Sequence, residues 1–145
     1  MAVPIDLPDI NVWLAFSMAD HVHHLRARHY WYEESGEQLA FCRVTALGFL
    51  RLATNAAATD GQPLTVPQAW RAYGDFRRLP EVVLAAEPEG CETWLAQWAL
   101  AGRPTPRQWT DAYLAAFAKT GGFRLVSFDG DFVRFDGLDL LRLEA

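Results

Sequence analysis

Short apolar runs of strand length alternate with stretches of helical periodicity along this chain, and that alternation limits its fold more than any single residue. Residues 2–7, 38–44, 81–85, 123–128 and 138–143 read as strands. Between them, 11–18, 20–35, 45–54, 67–79, 88–101 and a segment from 106 to Gly121-Gly122 read as helices. Strands separated by helices pair in parallel through crossover connections. The expected fold class is therefore α/β, a three-layer α/β/α sandwich around a central parallel sheet. No repeat, low-complexity tract or linker divides the 145 residues, so residues 1–145 are expected to form one domain.

Local signals set the expected boundaries. Asp20 is placed to cap the helix 20–35 and Gly36 to stop it. In the segment 45–54, Leu47, Leu50 and Phe49 are expected to face the core. Thr105-Pro106-Arg107-Gln108 matches a capping box with proline at the first helical position. That start would place Asp111 about a turn and a half inside its helix, among Ala112, Leu114, Ala115 and Ala118.

An aspartate so placed is disfavoured by propensity and gains little from the helix dipole. Two further aspartates have a similarly costly setting. Asp9 follows the first strand, and Asp129 follows Arg124-Leu125-Val126-Ser127-Phe128, with Asp131 two residues on. In parallel sheets, function collects outside the carboxyl ends of the strands, where Asp9 and Asp129 fall. An acid emerging from a buried strand or helix is costly unless paired or bound to metal. Hard cations such as Mg²⁺ or Mn²⁺ prefer such carboxylate oxygens. Asp129-Gly130 alone also suits an ordinary turn.

Other classes are excluded by what the chain lacks. There is no glycine-rich phosphate loop, no Gly-x-Ser-x-Gly elbow and no complete calcium loop. His21, His23, His24 and His29 lack zinc-protease spacing and read as a helix-surface cluster. Cys42 and Cys91 lack metal or redox spacing and suit a reducing compartment. No apolar run is long enough to span a membrane, and the opening residues do not resemble a signal peptide. A cytoplasmic protein is expected. The net charge of −5 does not suggest an electrostatic nucleic-acid binder. Bound divalent cations would nevertheless offset part of it. Twelve of the thirteen basic residues are arginine, and Arg71, Arg77 and Arg78 cluster, either as a solvated helix face or as phosphate contacts.

Five segments in order resemble one family. Asp9-Ile10-Asn11-Val12-Trp13-Leu14 is similar to the opening motif of PIN domains, and Asp20-His21-x-x-His24 resembles a bacterial branch of them. Thr45-Ala46-Leu47-Gly48-Phe49-Leu50-Arg51-Leu52 matches a segment of that branch. Thr110-Asp111-Ala112-Tyr113 and Ser127-Phe128-Asp129-Gly130-Asp131-Phe132 resemble the third-acid and closing motifs. The resemblance is to VapC-type toxins of toxin–antitoxin pairs and covers nearly the whole chain.

That resemblance implies a PIN-like fold and a Mg²⁺- or Mn²⁺-dependent ribonuclease acting on structured RNA such as tRNA or ribosomal RNA. It also implies neutralisation by a VapB-type antitoxin, and a homodimer. Asp9, Asp111 and Asp129 would be catalytic metal ligands, with Asp131 as a further ligand or an orienting group. Asn11 and Ser127 would support them. The chain departs from the family at Gly48, where many members carry a glutamate, and no acid lies between Gln38 and Ala58. Thr45 and Arg51 stand nearby as substitutes, and Arg71, Arg77 and Arg78 are the expected RNA contacts. The alternative reading is a weak or inactive PIN-fold RNA-binding module.

Overall fold

In the computed structural model, which describes residues 4–144, five strands form a single sheet in which every pairing is parallel. The strands are β1 (Ile5–Pro8), β2 (Gln38–Phe41), β3 (Val82–Leu84), β4 (Arg124–Ser127) and β5 (Leu140–Arg142). Their order across the sheet is β3-β2-β1-β4-β5. From β1 the chain first winds outward through β2 and β3, then returns to β1's other side for β4 and β5. The direction of winding therefore reverses between β1 and β4, and such a switch point leaves a crevice at the carboxyl ends of the strands.

The helices are α1 (Ile10–Ser17), α2 (His24–His29), α3 (Arg43–Ala53), α4 (Val66–Arg78), α5 (Cys91–Leu100) and α6 (Trp109–Gly121). Two separate apolar cores make the three layers. One joins Trp13 of α1, Trp31, Phe41, Phe49 of α3 and Phe76 of α4. In it, the Trp13 and Phe41 rings stack with centroids 3.7 Å apart. The other joins Leu7 and Leu125 to Trp98 of α5 and to Leu114 and Phe117 of α6. The expected α/β/α sandwich is therefore the observed architecture.

Several boundaries differ from expectation. The helix expected over 20–35 begins at His24 and continues as a π-helical turn over Tyr30–Glu34. Asp20 does not cap it; the intervening turn is closed by the His23 N–H donating to His21 Nδ1 at 3.0 Å. The strand expected over 38–44 stops at Phe41, because Cys42 becomes the N-cap of α3 and its N–H donates to Thr45 Oγ1. Leu47 is exposed, while Ala46, Phe49 and Ala53 make the buried face of α3. Strand β1 starts at Ile5, and the part of the expected strand before Pro4 lies outside the described residues.

The most consequential difference concerns α6. Only half of the expected capping box forms: the Thr105 N–H donates to Gln108 Oε1, while the Gln108 N–H bonds the Thr105 carbonyl instead of its side chain. Helix α6 therefore starts at Trp109, and Asp111 lies in its first turn. There the helix dipole favours a carboxylate. Asp111 is thus presented at a helix entrance rather than stranded within a helix.

Candidate active site

Asp9 stands one residue beyond β1, as the N-cap of α1. Its Oδ1 accepts the Ile10 N–H at 2.7 Å, and its backbone N–H donates to the Val126 carbonyl of β4 at 2.8 Å. The second carboxylate oxygen, Oδ2, accepts the Ser127 hydroxyl at 2.8 Å. Asp9 is only 7% exposed. Burial pushes its carboxyl above the usual range, partly offset by the Ser127 and Ile10 hydrogen bonds.

Ser127 is the hub that joins β1 to the closing turn. It is fully buried at the carboxyl end of β4. Its Oγ donates to Asp9 and accepts the Asp129 N–H at 2.9 Å and, more weakly, Asn11 Nδ2 at 3.4 Å. Asn11 Oδ1 in turn faces the Phe128 N–H at 3.5 Å. Asp129 caps a short helical turn over Gly130–Arg134, its Oδ1 accepting the Asp131 N–H at 2.8 Å. Asp131 Oδ2 is met by Gln108 Nε2 at 3.4 Å.

Asp111 completes the group from α6. Its pKa is pushed up to about 7, first by burial and then by the charges of Asp9, Asp129 and Asp131. Asp9, Asp129 and Asp131 thus lie near enough for their charges to act on it. Among the described residues none of the four acids is ion-paired with Lys or Arg. Their charge is therefore not tied up in any direct salt bridge, although the Arg142 guanidinium lies close by across Gly130. In its donor chemistry this set fits a hard divalent cation. The carboxyls are not gathered into a ready cage: among the described residues no three His, Cys, Asp or Glu side chains converge on one ion position. Each hydrogen-bonded carboxylate is instead turned toward an N–H or O–H donor.

Gly48 is buried on α3, and the side chain of Ile10, the residue after Asp9, fills the space beside it. A Cβ there would stand 2.8 Å from Ile10 Cγ1 and closer still to Cδ1. The family's usual acid is therefore replaced by an apolar contact. Thr45 does not compensate with a free hydroxyl, because its Oγ1 donates to the Cys42 carbonyl and accepts the Cys42 N–H. Arg51 lies exposed in the last turn of α3.

The arginine cluster sits elsewhere. Arg71, Arg77 and Arg78 are exposed on α4, which leads through residues 79–81 into the amino end of edge strand β3. Arg77 donates to Tyr73 Oη, and Arg78 pairs with Asp75 at 2.7 Å. Two residues that the sequence reading missed lie closer to the acids. Gln108 is buried and accepts Arg134 Nη1 at 2.7 Å while reaching Asp131; the partial capping box was its only signal. Arg142 pairs in register with Ser127, and its guanidinium lies across Gly130, between Asp129 and Asp131. Nothing local in the sequence marks it. The histidines stay apart from the acids as a set. His24 Nδ1 is 2.8 Å from the Ala15 carbonyl, and only His23 approaches the site, stacking on Phe128 at 4.5 Å.

Known proteins share this fold. The PIN domain family model matches residues 7–138. Ribonuclease VapC41 of Mycobacterium tuberculosis is 44% identical over 140 residues, covering 92% of this chain and 95% of that protein. Among solved structures, VapC20 of Mycobacterium tuberculosis, described as a sarcin–ricin loop cleaving toxin, superposes with a TM-score of 0.69 at 19% identity. That match covers 95% of this chain and 98% of VapC20. VapBC2 of Rickettsia felis, solved bound to a DNA fragment from its promoter, gives 0.68 at 12% identity over 97% and 99% of the two chains. The family model spans most of the chain and the identity to Ribonuclease VapC41 runs over 92% of it: the chain belongs to the PIN domain family, among its VapC members.

Proposed function

We propose that this chain is a ribonuclease toxin that hydrolyses RNA phosphodiester bonds with the help of Mg²⁺ or Mn²⁺. The observation that carries the reading is four acids gathered where β1 and β4 end and α6 begins, none of them in a salt bridge among the described residues. They stand in a chain 44% identical over 92% of its length to a named ribonuclease. Asp9, Asp111 and Asp129 would hold the cation, with Asp131 as a further ligand or as the group that orients one. A cation held there polarises a phosphoryl oxygen and lowers the pKa of a bound water. Ser127 and Asn11 keep Asp9 and the Asp129 backbone in place. Arg142 supplies an exposed guanidinium beside Gly130 for a backbone phosphate. The expected products carry a 5′-phosphate and a 3′-hydroxyl.

The substrate class we assign is structured RNA, a tRNA or a ribosomal RNA, in keeping with the loop cleaved by VapC20. A cluster of acids in no salt bridge also invites a basic side chain from a partner, which would take the place of the cation's charge. We assign that partner as a VapB-type antitoxin, in line with the VapBC2 assembly. The toxin itself is assigned as a cytoplasmic homodimer. Among the described residues no helix is long and apolar enough to cross a membrane.

The test is cleavage of cellular RNA by purified protein supplied with Mg²⁺ or Mn²⁺. Asp9→Asn and Asp111→Asn should abolish it, and equal cleavage by either variant would overturn the assignment. Co-expression with the small protein encoded beside it should yield a complex that no longer cleaves.

The contact between Gly48 and Ile10 favours one other reading, a PIN-fold module that binds RNA without cutting it. Calorimetric titration with Mn²⁺ separates the two, with Asp129→Asn as the control. Binding lost in the control supports the nuclease; no binding by the parent supports the module.

A further inference from the structure

A second cleft opens on the same carboxyl edge of the sheet, beside the acids. It measures about 270 Å³ and is lined by Arg43, Leu84, Glu87, Tyr113 and Phe117. One of its walls, α6, also carries Asp111. Arg43 opens α3 just after β2, Glu87 follows β3, and Tyr113 stands two residues after Asp111 on α6. Adjacent strands lie about 4.8 Å apart, so β3 is about 10 Å from β1 along this edge. A strand of RNA laid over the acids and running toward β3 would pass the cleft.

The chemistry inside is specific. The Tyr113 hydroxyl donates to Glu87 Oε1 at 2.7 Å, fixing the carboxylate while the rest of Glu87 stays exposed. Among the described residues, no other side chain engages the Glu87 carboxylate. Arg43 is exposed and, among the described residues, its guanidinium is in no ion pair. An aromatic ring offers a stacking face to any base. A fixed carboxylate accepts hydrogen bonds from an exocyclic amino group, as acidic side chains do from cytosine N4. A free guanidinium pairs with phosphate or stacks. The volume falls just short of the roughly 300 Å³ at which pockets for larger organic ligands begin, which suits a single base. The carboxylate at the mouth repels phosphate, so the base and not the backbone is the part that enters.

We infer that this cleft receives one unpaired base of the RNA strand and that Glu87 selects a base bearing an exocyclic amino group over uracil. The inference rests on the ribonuclease reading above. Arg43 then holds the phosphate attached to that base, outside the cleft.

Cytosine and uracil differ at the edge that Glu87 would read, so the probes are short labelled oligocytidylate and oligouridylate. Their binding is followed by fluorescence anisotropy with Mg²⁺ present, in Asp111→Asn protein so that neither is cut. Oligocytidylate should bind about tenfold more tightly than oligouridylate. Glu87→Ala should erase that preference while leaving oligouridylate affinity within about twofold. Arg43→Ala should weaken both probes by a similar factor. Both residues are exposed, and unchanged melting temperatures would confirm that the variants fold. Equal binding of the two probes by the parent, or a preference that survives Glu87→Ala, would overturn the cleft assignment. Cleavage of cellular RNA by the wild-type chain is measured alongside. Intact cleavage with no cytosine preference defeats the cleft alone, whereas no cleavage with either cation defeats the ribonuclease reading and the cleft with it.

Discussion

Ile10 occupies the volume into which a side chain at Gly48 would have to grow. The two residues belong to different helices, α1 and α3, and meet beside Asp9. This contact leaves no room for an acid at Gly48: the space is closed by a branched apolar side chain one residue after the first aspartate. Gly48→Glu alone should destabilise the fold by about 1–3 kcal/mol through overpacking. Adding Ile10→Ala should recover much of that loss, because it removes the obstructing atoms. The double variant should also bind Mn²⁺ more tightly than the parent. Thermal melting and calorimetry read the two effects separately.

Ser127→Ala tests the hub. The substitution leaves Asp9 Oδ2 and the Asp129 N–H without their shared partner. A buried polar group left unpaired costs about 1–3 kcal/mol, so the melting temperature should fall. Asp9 also loses a hydrogen bond that holds its pKa down. Groups that orient ligands typically change metal affinity or activity by about 10–100-fold, and cleavage should drop within that range. Ser127→Thr, which keeps the hydroxyl, should retain more activity than Ser127→Ala.

The sequence exposed those parts of the site that depend on local chain direction. Asp9 and Asp129 were legible because each follows a strand whose apolar run is plain. Asp111 stands out for its apolar neighbours, but it is not deep in the helix, since the Gln108 N–H bonds the Thr105 carbonyl and not its side chain and the helix starts later. Arg142 and Gln108 were not legible, because sheet register and a turn bring them to the acids from 13 and 23 residues away from Asp129 and Asp131 respectively. The three clustered arginines showed the converse: closeness in sequence placed them together on α4 and away from the carboxyl ends of β1 and β4.

That contrast gives a prediction about cleavage. Arg142→Ala should raise KM for RNA and flatten its salt dependence, because it removes a phosphate contact. Arg71→Ala should leave both nearly unchanged. Steady-state cleavage of one labelled RNA at several salt concentrations distinguishes them, and the reverse ranking would return the phosphate path to α4.

Asp6 shows that burial alone does not make an acid functional. It lies at the amino side of the sheet, 1% exposed, and receives Arg124 through Nε and Nη2, both at 2.9 Å. Tyr30 Oη and the Gly36 N–H also donate to it. With its charge paired and its oxygens satisfied, Asp6 needs no metal. Asp6→Asn leaves Arg124 partly buried without its counter-charge, at a cost of about 3–5 kcal/mol. Its melting temperature should fall further than that of any active-site Asp→Asn variant. RNA cleavage by the fraction that remains folded should persist.

Asp111 has the opposite balance, and pH reveals it. Its carboxyl is near 3.8 when unfolded and is raised to about 7 in the folded chain, chiefly by burial and then by Asp9, Asp129 and Asp131. Between those values the folded state binds more protons than the unfolded state, so stability falls as pH rises. The cost is absent below the unfolded pKa and complete above the folded one. Asp111→Asn removes the ionisation, so in chelator-treated protein it should raise stability at pH 8 by on the order of 2 kcal/mol, after allowance for solvent screening. At pH 4 the variant and parent should melt together. Adding Mg²⁺ at pH 8 should then stabilise the parent more than the variant, because a bound cation relieves the repulsion that the substitution has already removed. A variant that melts below the parent at pH 8 without metal would show that Asp111 is held by contacts that outweigh its crowded charge.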